Sequence, residues 1–370
     1  MIATKLTDLL GVRVPLLNAP MTPQAGGLLA RAVSEAGGFG MVGIEEIDTD
    51  DEIAEQLAIV GTGTALPFGI GLVAWVIDQR PELLDIAIAA RPALIAISFG
   101  DPAPHVARLH DEGILVASQV QSRRWAETAL AAGVDVLVAQ GTEAGGHTGS
   151  VGTLPLLQIV LELTDSPVVA AGGIASGRGL AAVLAAGAAG AWIGTPFLLA
   201  EEARNSPVAR ARIVASDETQ TLYTSVYDRL QGKDWPAEFR ARALRNPFGE
   251  VWTGREDELG EGSSARDEFR RAKAAENYDV AHIYAGQTVG LLDAVRPAAT
   301  IVNDIETQAQ QLLGATAATV AGERQGAQDD RREAYRATRH ELERLWEEQA
   351  GGKPAAEQTT TGEGARTEPT

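Results

Sequence analysis

Residues Val136 to Gly149 read VLVAQGTEAGGHTG. The apolar run Val136, Leu137 and Val138 is too short for a helix and is bounded by turn formers, which predicts a buried strand ending near Gln140. Beyond it comes a glycine-rich loop. Gly141, Gly145 and Gly146 carry no Cβ, so their backbone can approach a flat or phosphorylated ligand closely. His147 is expected at the tip of that loop as a proton acceptor. Barrel enzymes keep their chemistry at the carboxyl ends of strands, where this reading places Gln140 and His147.

Working outward, short apolar runs alternate with amphipathic stretches from Leu16 to about Leu199, the pattern of repeated βα units on a parallel sheet. The runs are Leu16 to Ala19, Phe39 to Val42, Phe68 to Leu72, Leu94 to Ser98, Ile114 to Ser118, Val136 to Ala139, Val168 to Ala171 and Ala191 to Gly194. Helical stretches from Gly27 to Ala36 through Ser176 to Ala186 separate them, several closed by a glycine (Gly37, Gly113, Gly133, Gly187). The expected fold is therefore α/β, a (β/α)8 TIM barrel, with a doubly wound open sheet as the competing topology.

Past Glu201 the texture changes to more Arg, Glu, Trp and Tyr, with breaks at Pro207, Pro247 and Pro297. These shifts place the barrel at residues 1–214, a mostly helical lid or substrate domain at 215–320, a charged C-terminal helix at 321–350 and a disordered tail at 351–370. Tyr335, Leu342, Leu345 and Trp346 recur at helical spacing in the charged helix, and Trp346 points to a subunit contact in a homo-oligomer. The tail, GGKPAAEQTTTGEGARTEPT, has almost no apolar side chains.

The 370 residues, 45% hydrophobic, suffice for one barrel-sized core plus a smaller unit. A formal net charge of -19 without a basic face argues against nucleic acid or an anionic membrane as partner. The absence of cysteine excludes disulfides, thiolate metal sites and a cysteine nucleophile. Met1 to Pro15 has one lysine and no long apolar core, and no stretch reaches the roughly 18 to 20 apolar residues of a membrane span. A cytoplasmic protein is expected.

Two later strand ends resemble the first. Val169 leads into AAGGIASGRG and Ala191 into WIGTPFLL, so Gly172 and Gly173 end the seventh strand and Gly194 and Thr195 the eighth. In barrels these two loops form the usual phosphate site, with backbone N–H groups turned on the anion. A phosphate there and His147 one strand earlier describe a mononucleotide cofactor across the mouth.

These motifs carry a resemblance. NAPM (Asn18 to Met21), QGTEAGGHTG (Gln140 to Gly149), AGGI and IGT, with RALRNPFGEVWTG (Arg242 to Gly254) and AGQTVGLL (Ala285 to Leu292), look like the nitronate monooxygenase family, FMN-dependent barrel enzymes. The likeness covers about residues 12 to 315. It implies that Pro20 and Met21 touch the flavin through backbone and that Gln140 hydrogen-bonds it. Gly145 and Gly146 would pass close to it, and Gly172, Gly173, Gly194 and Thr195 would hold its phosphate. His147 would be the catalytic base. Many members have Asn where this chain has Gly71, Gln where it has Trp192, and Arg where it has Pro196. The first two changes leave only backbone contact at Gly71 and Trp192, and the third alters the phosphate site.

The implied reaction is oxidation of an alkyl nitronate, or of a nitroalkane after deprotonation, with electrons passing through FMN to O2. An imidazole titrates near neutrality and suits the base role. Tyr284 and Gln287 are candidate substrate contacts from the lid. His282, just before Tyr284, reads as core or as a lid residue near the substrate, His105 and His110 have no neighbouring acidic or cysteine constellation for a metal, and His340 reads as a solvated residue of the charged helix. An NAD(P)H-dependent flavin reductase of the enoyl-carrier-protein or quinone type would share the same motifs. A ligand-binding barrel without turnover is the reading from another class. An IMP dehydrogenase-like barrel would need the missing cysteine.

Overall fold

The computed structural model describes residues 2–44, 48–233, 235–260, 262–320, 333, 335–341 and 344. Eight parallel strands form the central sheet: β1 (Leu16–Asn18), β2 (Gly40–Gly43), β3 (Phe68–Val73), β4 (Leu94–Ser98), β5 (Leu115–Val120), β6 (Val136–Gln140), then, after the short β7 (Gly146–Thr148), β8 (Val168–Ala171) and β9 (Gly190–Ile193). Their order, β1-β9-β8-β6-β5-β4-β3-β2, differs from an open doubly wound sheet. A parallel bridge between Leu17 and Phe39 joins the two ends, with the Phe39 N–H donating to the Leu16 carbonyl at 2.9 Å. The result is the expected TIM barrel.

Strands of this kind are buried on both faces, which is why they read as continuous apolar runs. Alternate residues divide between two cores. One set, including Leu17, Phe39, Met41, Leu94, Val136, Val138, Val169 and Trp192, fills the barrel interior together with Leu6 and Leu10 of the N-terminal helix Lys5–Leu10. The other set, including Leu16, Val42, Ile70, Ile95, Val116, Leu137 and Val168, packs under the surrounding helices. Local signals set the helix ends. Ser122 accepts from the Trp125 N–H to start Arg123–Ala132, and Gly133, at φ 86°, ends it in the left-handed conformation.

The lid differs from its sequence reading in one respect. It holds a three-stranded antiparallel sheet in the order β10-β11-β7, built from β10 (Thr221–Thr224) and β11 (Arg240–Leu244) with β7 contributed by the histidine loop. His147 therefore stands in a strand, paired with Ala241, and not at a free loop tip. Each strand is too short to show a period, and β7 lies far from its partner in sequence. Helices Val226–Gln231, Pro247–Trp252 and Ser264–Ala274 surround this sheet. By internal contacts, barrel and lid belong to one unit, Met1–Leu313, and Gly314–Thr370 forms a second.

The helix beginning at Ala298 buries Ala298, Val302, Ile305 and Ala309 against the barrel's outer core. Of the expected charged C-terminal helix, residues 333, 335–341 and 344 are helical, and Tyr335 is exposed. Leu342, Leu345, Trp346 and the tail 351–370 lie outside the described residues. No helix among the described residues is long and apolar enough to cross a membrane.

Candidate active site

The carboxyl ends of the barrel strands and the lid sheet meet at His147. Its backbone is fixed twice, by pairing with β11 and by Gln140, whose Nε2 donates to the His147 carbonyl at 3.1 Å. Gln140 Oε1 in turn accepts from Gln121 Nε2 at 2.8 Å. Both Gln140 amide groups are thus engaged in holding the histidine strand.

The imidazole is held as firmly. Nε2 lies 2.9 Å from Oδ1 of Asp228, on the lid helix Val226–Gln231, and the two side chains are only 10% and 4% exposed. The ring stacks on Trp235 at 3.5 Å with 8° between planes, and Tyr284 meets it edge-on at 5.7 Å. Phe99, after β4, packs edge-on to Trp235 and Phe239, and Trp75 to Trp235. Phe99 has φ 61°, a conformation an aromatic residue rarely adopts, so its place in this wall is held against backbone strain. The mouth beside His147 is therefore aromatic on one side.

On the other side it is bare backbone. Gly146, at φ 72°, has no atom within 4 Å of where a Cβ would stand, whereas a Cβ on Gly145 would lie 2.6 Å from backbone atoms of Ala285 and Gly286. Gly145 thus seats the lid and Gly146 leaves open space. Gly172 and Gly173 have φ of 94° and 72° at the end of β8. The backbone N–H groups of Gly173, Gly194 and Thr195 donate no hydrogen bond among the described residues. The Thr195 hydroxyl accepts from the Gly286 N–H at 2.9 Å, so this side chain is used in anchoring the lid.

The remaining expected residues divide. Pro20 packs over β3, and a Cβ on Gly71 would stand 2.3 Å from its ring, so Gly71 makes room for Pro20. Met21 touches both the barrel core and a lid cluster, its sulfur 3.4 Å from the Cβ position of Gly194. Trp192 fills the barrel interior, with Nε1 enclosed and without a hydrogen-bond partner among the described residues. Tyr284 is beside His147, but the Gln287 side chain is exposed, and only its N–H is used, donating to the Glu143 carbonyl at 3.0 Å. Asp228, Gln121, Trp235 and Phe99 stand in no motif, and no sequence signal singles them out. A separate concavity of about 530 Å³, lined by Pro207, Arg210, Val214 and Val295 among others, shares no residue with this site.

His282 belongs to the lid core. Its ring lies against Tyr227 (4.9 Å), Phe269 (5.7 Å) and Tyr284 (4.3 Å), and Nδ1 is enclosed with no hydrogen-bond partner among the described residues. Burial pushes its pKa down to about 3, with the nearby charges of Lys273, Lys233 and His147 acting in the same direction. Below its ordinary value of 6.5 the unfolded chain takes up a proton that the folded chain refuses. Stability is therefore lost as pH falls from about 6.5 towards about 3, by at most ~1.4 kcal/mol per unit. His282→Phe should flatten this limb, so that between pH 7 and 4.5 the variant loses about 2–3 kcal/mol less than the parent in urea unfolding. Equal losses would show that other groups set the acid limit.

The site thus joins a glycine-lined mouth, a fixed histidine and a small lid on a TIM barrel. The chain belongs to the nitronate monooxygenase family, whose profile matches residues 77–308. FabK from Thermotoga maritima shares the fold with a TM-score of 0.76 at 29% identity, over 86% of this chain and all of the other. A nitroalkane oxidase from Streptomyces ansochromogenes gives 0.71 at 26% identity, over 85% of this chain and 100% of the other. In Mycobacterium tuberculosis, a 5-hydroxy-7a-methyl-1-oxo-octahydro-1H-indene-4-carboxyl-CoA dehydrogenase is 36% identical over 230 residues, 61% of this chain and 64% of the relative. The chain spans about three fifths of the length of the actinobacterial relatives it matches.

Proposed function

We propose that this enzyme oxidises alkyl nitronates, and nitroalkanes after removing their α-proton, in the cytoplasm and with FMN as cofactor. The observation that carries the reading is an imidazole fixed by Asp228 and Trp235 beside a bare-backbone pocket, within a member of the nitronate monooxygenase family. The residues present fit FMN. Gly146 leaves space for a flat ring, and the unspent N–H groups of Gly173, Gly194 and Thr195 suit a phosphate. Pro20, Met21 and Gly145 would border the ring system, and Gly172 would help shape the phosphate end. Held there, FMN would supply the redox chemistry that links oxidation of the substrate to reduction of O2.

The chain's own residues do the rest. His147 takes the carbon-bound proton of a neutral nitroalkane, while a nitronate arrives without it. Trp235, Phe99 and Tyr284 wall the approach with apolar surface suited to an alkyl chain. A second reading, hydride exchange between NAD(P)H and a thioester substrate, is favoured by the CoA dehydrogenase at 36% identity.

An absorption spectrum of the purified enzyme followed by anaerobic titration separates the two. Bleaching of the flavin by propyl nitronate but not by NADH supports nitronate oxidation. Rapid bleaching by NADH alone would replace that reading with the reductase.

A further inference from the structure

Asp228 stands 81 positions beyond its histidine partner, on a lid helix, within the unremarkable sequence SVYDRL. Its Oδ1 meets His147 Nε2 at 2.9 Å, and its Oδ2 is enclosed with no hydrogen-bond partner among the described residues. His147 Nδ1 makes no hydrogen bond among the described residues. An ionised carboxylate can only accept, so the proton of a neutral imidazole must sit on Nε2 and the lone pair on Nδ1.

We infer that Asp228 is the positioning residue for His147: its carboxylate holds the Nε2–H tautomer and makes Nδ1 the nitrogen that exchanges a proton with substrate. This rests on the reading of His147 as a proton-transferring group. A buried carboxylate with one unsatisfied oxygen is poorly compensated while the ring is neutral. When Nδ1 takes the substrate's α-proton, the ring becomes an imidazolium hydrogen-bonded to that carboxylate. The C–H electron pair stays on the substrate as the nitronate, so charge is created as an ion pair and not in isolation. Trp235 covers one ring face and prevents the imidazole from swinging away. The other titratable groups around the pair are Tyr284, against the ring, and His282 behind it, with Lys233 within electrostatic reach of His282.

The test begins with the wild-type holoenzyme, so that no variant need fold. Long-range ¹H–¹⁵N correlation of histidine-labelled enzyme, with His147 assigned by its loss in His147→Asn, reads the protonated nitrogen directly. A protonated Nε2 with a bare Nδ1 is the expected result, and a protonated Nδ1 overturns the inference, because Asp228 would then be the donor. This readout holds even if nitronates prove not to be substrates. Asp228→Asn, checked for flavin retention, should lower kcat on a neutral nitroalkane by about 10²-fold or more with KM changed little, and spare the nitronate. Equal losses on both substrates would reduce Asp228 to a structural role and overturn the inference.

Discussion

His147→Asn should lower turnover of a neutral nitroalkane by about 10²–10⁴-fold and leave turnover of the matching nitronate within a small factor. The selectivity follows from the reaction, since only the neutral substrate carries a proton that must be removed before electrons can leave. Asparagine cannot accept that proton, yet it preserves polarity in a position paired with β11 through its backbone. The substitution also strips Asp228 Oδ1 of its partner, at a cost of about 1–3 kcal/mol for a buried acceptor, so both assays belong below the variant's measured Tm. Parallel steady-state kinetics on nitroethane and ethyl nitronate decide the matter. Equal loss on the two would mean that His147 binds substrate or flavin and transfers no proton.

Gly145→Ala should be far more damaging than Gly146→Ala, although the two glycines are neighbours. A Cβ on Gly145 would stand 2.6 Å from backbone atoms of Ala285 and Gly286, and neither segment can yield without opening the seam between histidine strand and lid. Gly286 is pinned in turn by its N–H bond to Thr195. Loss of bound flavin and a stability drop of several kcal/mol are expected, as for other overpacked sites. Gly146→Ala meets open space and bears only the left-handed strain of φ 72°, about 1–2 kcal/mol. Flavin content after gel filtration and thermal melts of the two variants compare these directly. Comparable behaviour would show that the seam is looser than its geometry indicates.

Parts of this architecture are visible in the linear chain. The eight barrel strands stand out because each is buried on both faces and ends near a glycine or turn former, signals contained within a few residues. Their observed limits lie within a residue or two of the expected ones, as at Leu94–Ser98 and Val168–Ala171. The glycine pairs at Gly145–Gly146 and Gly172–Gly173 are equally local. The lid sheet was hidden because β7, β10 and β11 are three to five residues each and find their partners only through the fold. Gln140 shows the same limit. Its place at a strand end was legible, but its engagement with Gln121 and the His147 carbonyl depends on a neighbouring strand's side chain.

The amino-acid sequence by itself determined the barrel, its glycine-lined rim and the presence of one histidine there, because hydrophobic burial and backbone freedom are written residue by residue. Which nitrogen of that histidine is free, what covers its face and what holds its charge were decided by the tertiary structure alone. Asp228, Trp235, Phe99 and Tyr284 come from four separate segments, and a carboxylate 81 positions away acts on an imidazole only once folding has brought the two within hydrogen-bond distance.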